Sequence, residues 1–130
     1  MTTILIVEDE SDLRALLHLQ LELDGYTVVG CETAERGLEI LRGRPVDLVL
    51  LDAGLPGMTG YEMLRAVVHE PGLTDVPVIM LTGSRGIEDV AHAFRLGAQD
   101  HLAKPFRSQD LRARIAAALD RRAAAAGASA

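Results

Sequence analysis

Asp52 ends the apolar run Val46-Asp47-Leu48-Val49-Leu50-Leu51, and a pair of acids, Glu8 and Asp9, ends the run Ile4-Leu5-Ile6-Val7. Runs of this kind are buried on both faces and belong in a parallel sheet. Strands that run the same way bring their C-terminal ends to one edge, so the three acids are expected to meet. Clustered carboxylates repel unless something positive joins them, and a hard divalent cation that takes oxygen ligands suits them. Two more apolar segments end in complementary groups. Val78-Ile79-Met80-Leu81 leads to the hydroxyl of Thr82, and His101-Leu102-Ala103 leads to Lys104-Pro105. Acids, a hydroxyl and an ammonium thus each sit at a strand end, a pattern hard to obtain by accident.

The elements that must position these groups alternate along the whole chain. Apolar runs near residues 3–8, 26–31, 46–52, 77–82 and 99–103 read as strands. Between them lie stretches with the i, i+3/i+4, i+7 rhythm of amphipathic helices. The expected inner faces are Leu13, Leu16, Leu17 and Leu21 in the first helix, and Ala34, Leu38 and Leu41 in the second. They are Met63, Leu64 and Val67 in the third, Ile87, Val90, Ala91 and Phe94 in the fourth, and Leu111, Ile115 and Ala118 in the fifth. Ser11-Asp12, Thr33 and Ser108 offer helix caps, and Gly25, Gly43 and Gly97 mark helix ends. This βα alternation implies an α/β fold with helices on both faces of a parallel sheet. Residues 1–122 form one domain, and 123–130, Ala-Ala-Ala-Ala-Gly-Ala-Ser-Ala, are expected to fray as a disordered tail or the start of a linker.

Composition bounds the function. The 130 residues carry a formal charge of −6 and no tryptophan, which argues against direct nucleic-acid binding by this segment. No apolar stretch nears the roughly 18 residues that a bilayer requires. The N-terminus has no signal-peptide layout, and the single cysteine, Cys31, fits a reducing compartment; a cytoplasmic location is expected. Cys31 itself reads as a small core residue. His18, His69, His92 and His101 are too scattered for a metal cluster. Gly54, Gly57, Gly60, Gly83 and Gly86 fit neither phosphate-cradling glycine motif.

Glu8-Asp9, Leu51-Asp52-Ala53-Gly54-Leu55-Pro56-Gly57, Thr82-Gly83 and Ala103-Lys104-Pro105-Phe106 together resemble the receiver domain of bacterial two-component response regulators, over residues 3 to about 120. The resemblance implies a flavodoxin-like (βα)5 fold, a doubly wound five-stranded parallel sheet of order 2-1-3-4-5. It implies that Asp52 accepts a phosphoryl group from the phosphohistidine of a sensor histidine kinase or phosphotransfer protein. Mg2+ would be held by Asp9, by Glu8 largely through water, by one oxygen of Asp52 and by the backbone carbonyl of Gly54. Thr82 and Lys104 would each bind a phosphoryl oxygen. Such a domain is a signalling module that catalyses only its own phosphotransfer and autodephosphorylation. The family also carries a cis peptide at the position of Lys104-Pro105.

Three departures from the family pattern stand out. His101 replaces the usual Tyr or Phe, the ring that swings inward with Thr82 as a switch. Gly54 and Ser84 are small where longer side chains often screen the acyl phosphate. On the face made by the fourth helix, fifth strand and fifth helix, Asp100, Asp110, Arg114 and Arg121 match the charges through which DNA-binding members dimerise, whereas Val90, Arg95 and Gln99 do not. A monomer or weak activation-dependent dimer is therefore expected, gripping a downstream protein through that face, with no nucleic-acid or membrane partner. Two alternatives remain. An aspartate-nucleophile phosphohydrolase is disfavoured because its D-x-D follows the first strand, while Asp52-Ala53-Gly54 ends the third. A constitutive pseudo-receiver is disfavoured by the intact Glu8, Asp9, Asp52, Thr82 and Lys104.

Overall fold

The computed structural model describes residues 1–83 and 87–129; Ser84 and Gly86, both singled out above, lie outside the described residues. The elements follow in the order β1 (Thr3–Val7), α1 (Ser11–Leu23), β2 (Thr27–Cys31), α2 (Ala34–Gly43), β3 (Leu48–Asp52), α3 (Gly60–His69), β4 (Val78–Thr82), α4 (Ile87–Arg95), β5 (Asp100–Ala103) and α5 (Ser108–Ser129). The strands form a five-stranded sheet in the order β2-β1-β3-β4-β5, and every neighbouring pair is parallel. This is the sheet that the resemblance implies.

Alternation along the strands sorts the core into two layers. Leu5, Val7, Val49, Leu51, Val78 and Met80 pack with Leu38, Leu41, Met63, Leu64, Val67 and Ala93 from α2, α3 and α4. Ile4, Ile6, Leu48, Leu50, Ile79 and Leu81 point the other way and meet Leu17, Leu21, Leu111, Ile115 and Ala118 from α1 and α5. β1, β3 and β4 are buried along their whole length, which is why their sequences are continuous apolar runs rather than alternating ones.

Two helix faces differ from the sequence reading. Leu16 is 60 % exposed, and Leu17 and Leu21 carry the buried face of α1. Phe94 is 47 % exposed, whereas Ala93 is buried on α4; the side chain of Ile87 lies outside the described residues. In both helices the apolar residues outnumber the positions that can face the sheet. The third difference is at the C-terminus. Residues 123–129 continue α5 instead of forming a disordered tail, because alanine has the highest intrinsic helix propensity and extends a helix that is already nucleated. Caps also shift slightly: α1 begins at Ser11, with Glu10 as its N-cap. Thr33 caps α2 as expected, its side chain accepting a hydrogen bond from the Arg36 N–H. Among the described residues no helix is long and apolar enough to cross a membrane.

Candidate functional site

The site is built by register. Val7 lies opposite Leu51, Asp52 opposite Leu81, and Thr82 opposite Ala103, so the residues at or just past the strand ends form one row. The backbone ladder runs on into the loops. Glu8 N–H donates to the Cys31 carbonyl, Ala53 N–H to that of Leu81, and Lys104 N–H to that of Thr82. Those bonds carry the ladder on into the residues that follow β1, β3 and β5. The Lys104-Pro105 peptide is cis, as expected.

Carboxylate oxygens of Glu8, Asp9 and Asp52 lie within 4.8 Å of one another. Glu8 and Asp52 are buried, whereas Asp9 is exposed. Lys104 reaches across from β5, its Nζ 2.6 Å from Glu8 Oε1 and 3.3 Å from Asp52 Oδ1. Backbone donors help to hold the acids. The Glu10 N–H donates to Glu8 Oε2 at 3.2 Å, and the Gly54 N–H to Asp52 Oδ1 at 3.2 Å. Gly54 thus sits beside Asp52, although its contact runs through the N–H; a Cβ at this position would lie 3.9 Å from Asp52 Oδ1.

One ammonium does not neutralise three acids, and the titration of the cluster reflects this. Burial is the main reason that Glu8 rises to about 7; the Lys104 and Glu10 hydrogen bonds pull it down, while the charge of Asp52 adds to the rise. Burial opposes ionisation of Asp9 as well, but hydrogen bonds with Asp52 and Glu8 and the Lys104 charge outweigh it, so its carboxyl falls below the usual value. For Lys104 the burial cost is outweighed by Glu8 and Asp52, and its ammonium is held above its usual range. All the side-chain ligands are oxygens, the excess charge is negative, and the opening is at Asp9. That donor set fits a hard divalent cation and would not suit a soft, thiolate-seeking one.

Thr82, 3 % exposed, ends β4 beside this row, and its Oγ1 lies 2.7 Å from Nε2 of His101, itself 8 % exposed. His101 is therefore an inward-facing ring and not a half-exposed strand residue. Its basicity is lowered, chiefly by burial and further by Arg114, against the opposing charges of Asp100 and Asp89. The other histidines are peripheral: His18 pairs with Glu22, while His69 and His92 are exposed. Cys31 is buried and its thiol is pushed up to about 11 by burial, so it is a poor nucleophile.

Two contributors were not foreseen from sequence. Arg14 of α1 donates to the Glu8 carbonyl at 2.8 Å and so braces the acidic loop from outside. Gly60, the first residue of α3, lies directly against the backbone of Asp52 and Ala53, and a Cβ there would overlap the Asp52 carbonyl. The Gly60 N–H donates to the Ala53 carbonyl at 3.2 Å. Thr59 and Glu62 close a capping box over the same helix start, a T-x-x-E pattern that can be read in the sequence.

The family model described as response regulator receiver domain matches residues 4–116. The KDP operon transcriptional regulatory protein KdpE of Escherichia coli is 42 % identical over 124 residues, which cover 95 % of this chain and 54 % of that protein. The phosphate regulon transcriptional regulatory protein PhoB of Pseudomonas aeruginosa is 36 % identical over 119 residues, covering 92 % of this chain and 52 % of that protein. This chain thus spans about half the length of these curated relatives. Among solved structures, a putative response regulator from Chloroflexus aurantiacus superposes with a TM-score of 0.88 at 34 % identity, covering 92 % of this chain and 98 % of that one. A CheY-like receiver domain protein from Methanospirillum hungatei gives 0.87 at 30 % identity, covering 94 % and 96 %. These relatives correct the expectation about partners. Transcriptional regulatory proteins are at odds with an output confined to a downstream protein on the fourth helix, fifth strand and fifth helix, with nucleic acid excluded. Net charge and aromatic content describe only these 130 residues, about half the length of those relatives. On that face Arg114 is already paired within the chain, with Asp100 Oδ1 at 2.6 Å.

Proposed function

Because this chain belongs to the response regulator receiver domain family, we propose that it is a phosphorylation-controlled module in which Asp52 is the phosphoacceptor. The observation that carries the reading is the meeting of Asp52 with Glu8, Asp9 and Lys104 at one sheet edge. A carboxylate oxygen of Asp52 attacks the phosphorus of a phosphohistidine. The new O–P bond forms as the P–N bond breaks, and the electron pair stays on the departing imidazole, which takes a proton. Hydrolysis reverses the state: water attacks phosphorus, the bond to Asp52 breaks and inorganic phosphate leaves.

The obstacle is electrostatic, since an anion attacks a centre ringed by anionic oxygens, and positioning with charge neutralisation supplies most of the help. Lys104 holds one phosphoryl oxygen as a point charge, and the Thr82 hydroxyl donates to another. Glu8, Asp9, Asp52 and the Gly54 carbonyl would hold Mg2+, which when bound offsets the charge of the acids and of the transferring group. Asp52 ends the third strand of a receiver sheet, so the phosphohydrolase alternative finds no support. By analogy with the named relatives, the output we infer is control of transcription.

The test is Asp52→Asn, which keeps shape and removes the nucleophilic charge. With Mg2+ and acetyl phosphate, intact-mass measurement should detect one added phosphoryl group on the unchanged protein and none on the variant. An acid-labile adduct that persists in the folded variant would refute Asp52 as the acceptor.

A further inference from the structure

His101 and Thr82 share one proton across their 2.7 Å contact, and the direction of that bond decides what Thr82 can do. A hydroxyl has a single proton to give. If Thr82 donates to a bare Nε2, that proton is committed to the ring. If Nε2 carries the proton and donates, the hydroxyl proton can turn to an acceptor at the site. A phosphoryl oxygen on Asp52 has no proton and can only accept. Resting on the phosphoacceptor reading of Asp52, we propose that His101 is a positioning residue: in the phosphorylated protein its neutral ring carries the proton on Nε2 and donates to Thr82 Oγ1, which directs the hydroxyl proton at the phosphoryl group.

The surroundings favour a neutral ring that changes tautomer over one that gains charge. The ring is buried on β5 with its Nε2 against Thr82 of β4, and the charges that act on it are Asp100 beside it in the chain, Asp89 of α4 and Arg114 of α5. Asp100 already accepts from the His101 backbone N–H at 2.8 Å and from Arg114 at 2.6 Å. Burial and Arg114 oppose an imidazolium, whereas moving a proton between ring nitrogens leaves the charge of the pocket unaltered. Phenylalanine at this position could not direct the hydroxyl at all.

Long-range proton–nitrogen spectra of the 15N-labelled protein at pH 7.5 test this, recorded with Mg2+ alone and with Mg2+ plus the phosphoryl mimic beryllofluoride. Fluorine spectra report formation of the adduct, and H101L assigns the ring signals. The adduct is expected to contain His101 with Nε2 protonated and Nδ1 bare. Phosphorylation by acetyl phosphate should slow about fivefold in H101L, the rate equivalent of one neutral hydrogen bond. H101Q, whose amide can donate from a similar position, should recover most of that loss. A bare Nε2 in the adduct, or an H101Q no faster than H101L, overturns the inference. The spectra of the unaltered protein decide the matter even if a variant fails to fold. Failure of beryllofluoride to bind overturns the phosphoacceptor reading, and this role of His101 with it.

Discussion

Replacing Gly60 by alanine should damage the site without touching any group that does chemistry. The added Cβ would lie 2.7 Å from Ala53 Cα and 2.9 Å from the Asp52 carbonyl carbon, and closer still to the carbonyl oxygen. Ordinary contact begins at 3.4 Å, and these neighbours are backbone, so no side-chain rotation relieves the overlap. The start of α3 must back away from the end of β3. Overpacking of this kind costs about 1–3 kcal/mol, and a backbone collision belongs near the upper end. At roughly 3–5 °C per kcal/mol for a domain of this size, a cost of about 2–3 kcal/mol should lower Tm by about 6–15 °C. Two other glycines calibrate the measurement. At Gly43, at the end of α2, a Cβ meets nothing within 4 Å, and alanine should gain up to about 1 kcal/mol of helix propensity. At Gly37 it meets Met63 Cε at 2.8 Å and Val7 Cγ2 at 3.0 Å. There the helix gain and the cost of moving a pliable methionine nearly cancel. Thermal unfolding of the three variants, with and without Mg2+, should rank G43A above G37A and both above G60A. Retraction of the Asp52 segment should also shrink the Mg2+-induced rise in Tm for G60A alone. A G60A protein as stable as G43A, with the same response to Mg2+, would refute the reasoning.

Lys104→Met should destabilise the metal-free protein by about 1–3 kcal/mol in urea unfolding, since Glu8, with a side chain only 1 % exposed, loses its cation. The loss stays below that of a sealed ion pair because Glu8 can take a proton; an unchanged midpoint would contradict the role given to this pair. Gly54→Asn and Gly54→Arg should lengthen the lifetime of the phosphoryl adduct, because a side chain there begins 3.9 Å from Asp52 Oδ1 and screens it from water. Decay at the unaltered rate in both would mean that water access is not limiting. His101 is a base whose folded-state pKa lies below 6.5, so the stability it contributes is complete above pH 6.5 and is lost as pH falls through the folded value. The stability difference between the unaltered protein and H101L should therefore narrow from pH 7.5 to pH 5, and a pH-independent difference would count against a buried neutral ring.

The sheet and the meeting of Glu8, Asp9, Asp52 and Lys104 at its edge were legible because both follow from where apolar runs stop. In a parallel sheet, an acid or hydroxyl that ends a buried run has only one place to go. The helix faces were less legible. α1 carries Leu13, Leu16, Leu17, Leu19, Leu21 and Leu23, so spacing alone cannot say which three face inward. On α4, ranking by hydrophobicity favours Phe94, yet Ala93 is the one of the two that is buried. The Thr82–His101 bond joins residues on different strands, and Gly60 matters through backbone proximity; neither leaves a periodic trace. For the C-terminal alanines, packing partners and helix propensity point in opposite directions, and α5 runs on to Ser129.

The two layers of the core differ in how far along the chain their parts are separated. One is assembled from α2, α3 and α4, which follow one another around β3 and β4. The other needs α1 and α5, elements at opposite ends of the chain. Closing a long loop costs more entropy than closing a short one, and the longest closure is repaid last. Refolding should therefore consolidate the middle of the sequence before its ends meet. Pulse-labelled hydrogen exchange should find the amides of α3 protected ahead of those of α1 and α5, and the reverse order would mean that the ends nucleate. An arrangement that buries Asp52 and Thr82 between strands from the middle of the chain, while bringing Glu8 and Lys104 in from its ends, makes a complete acidic site a marker that folding has finished.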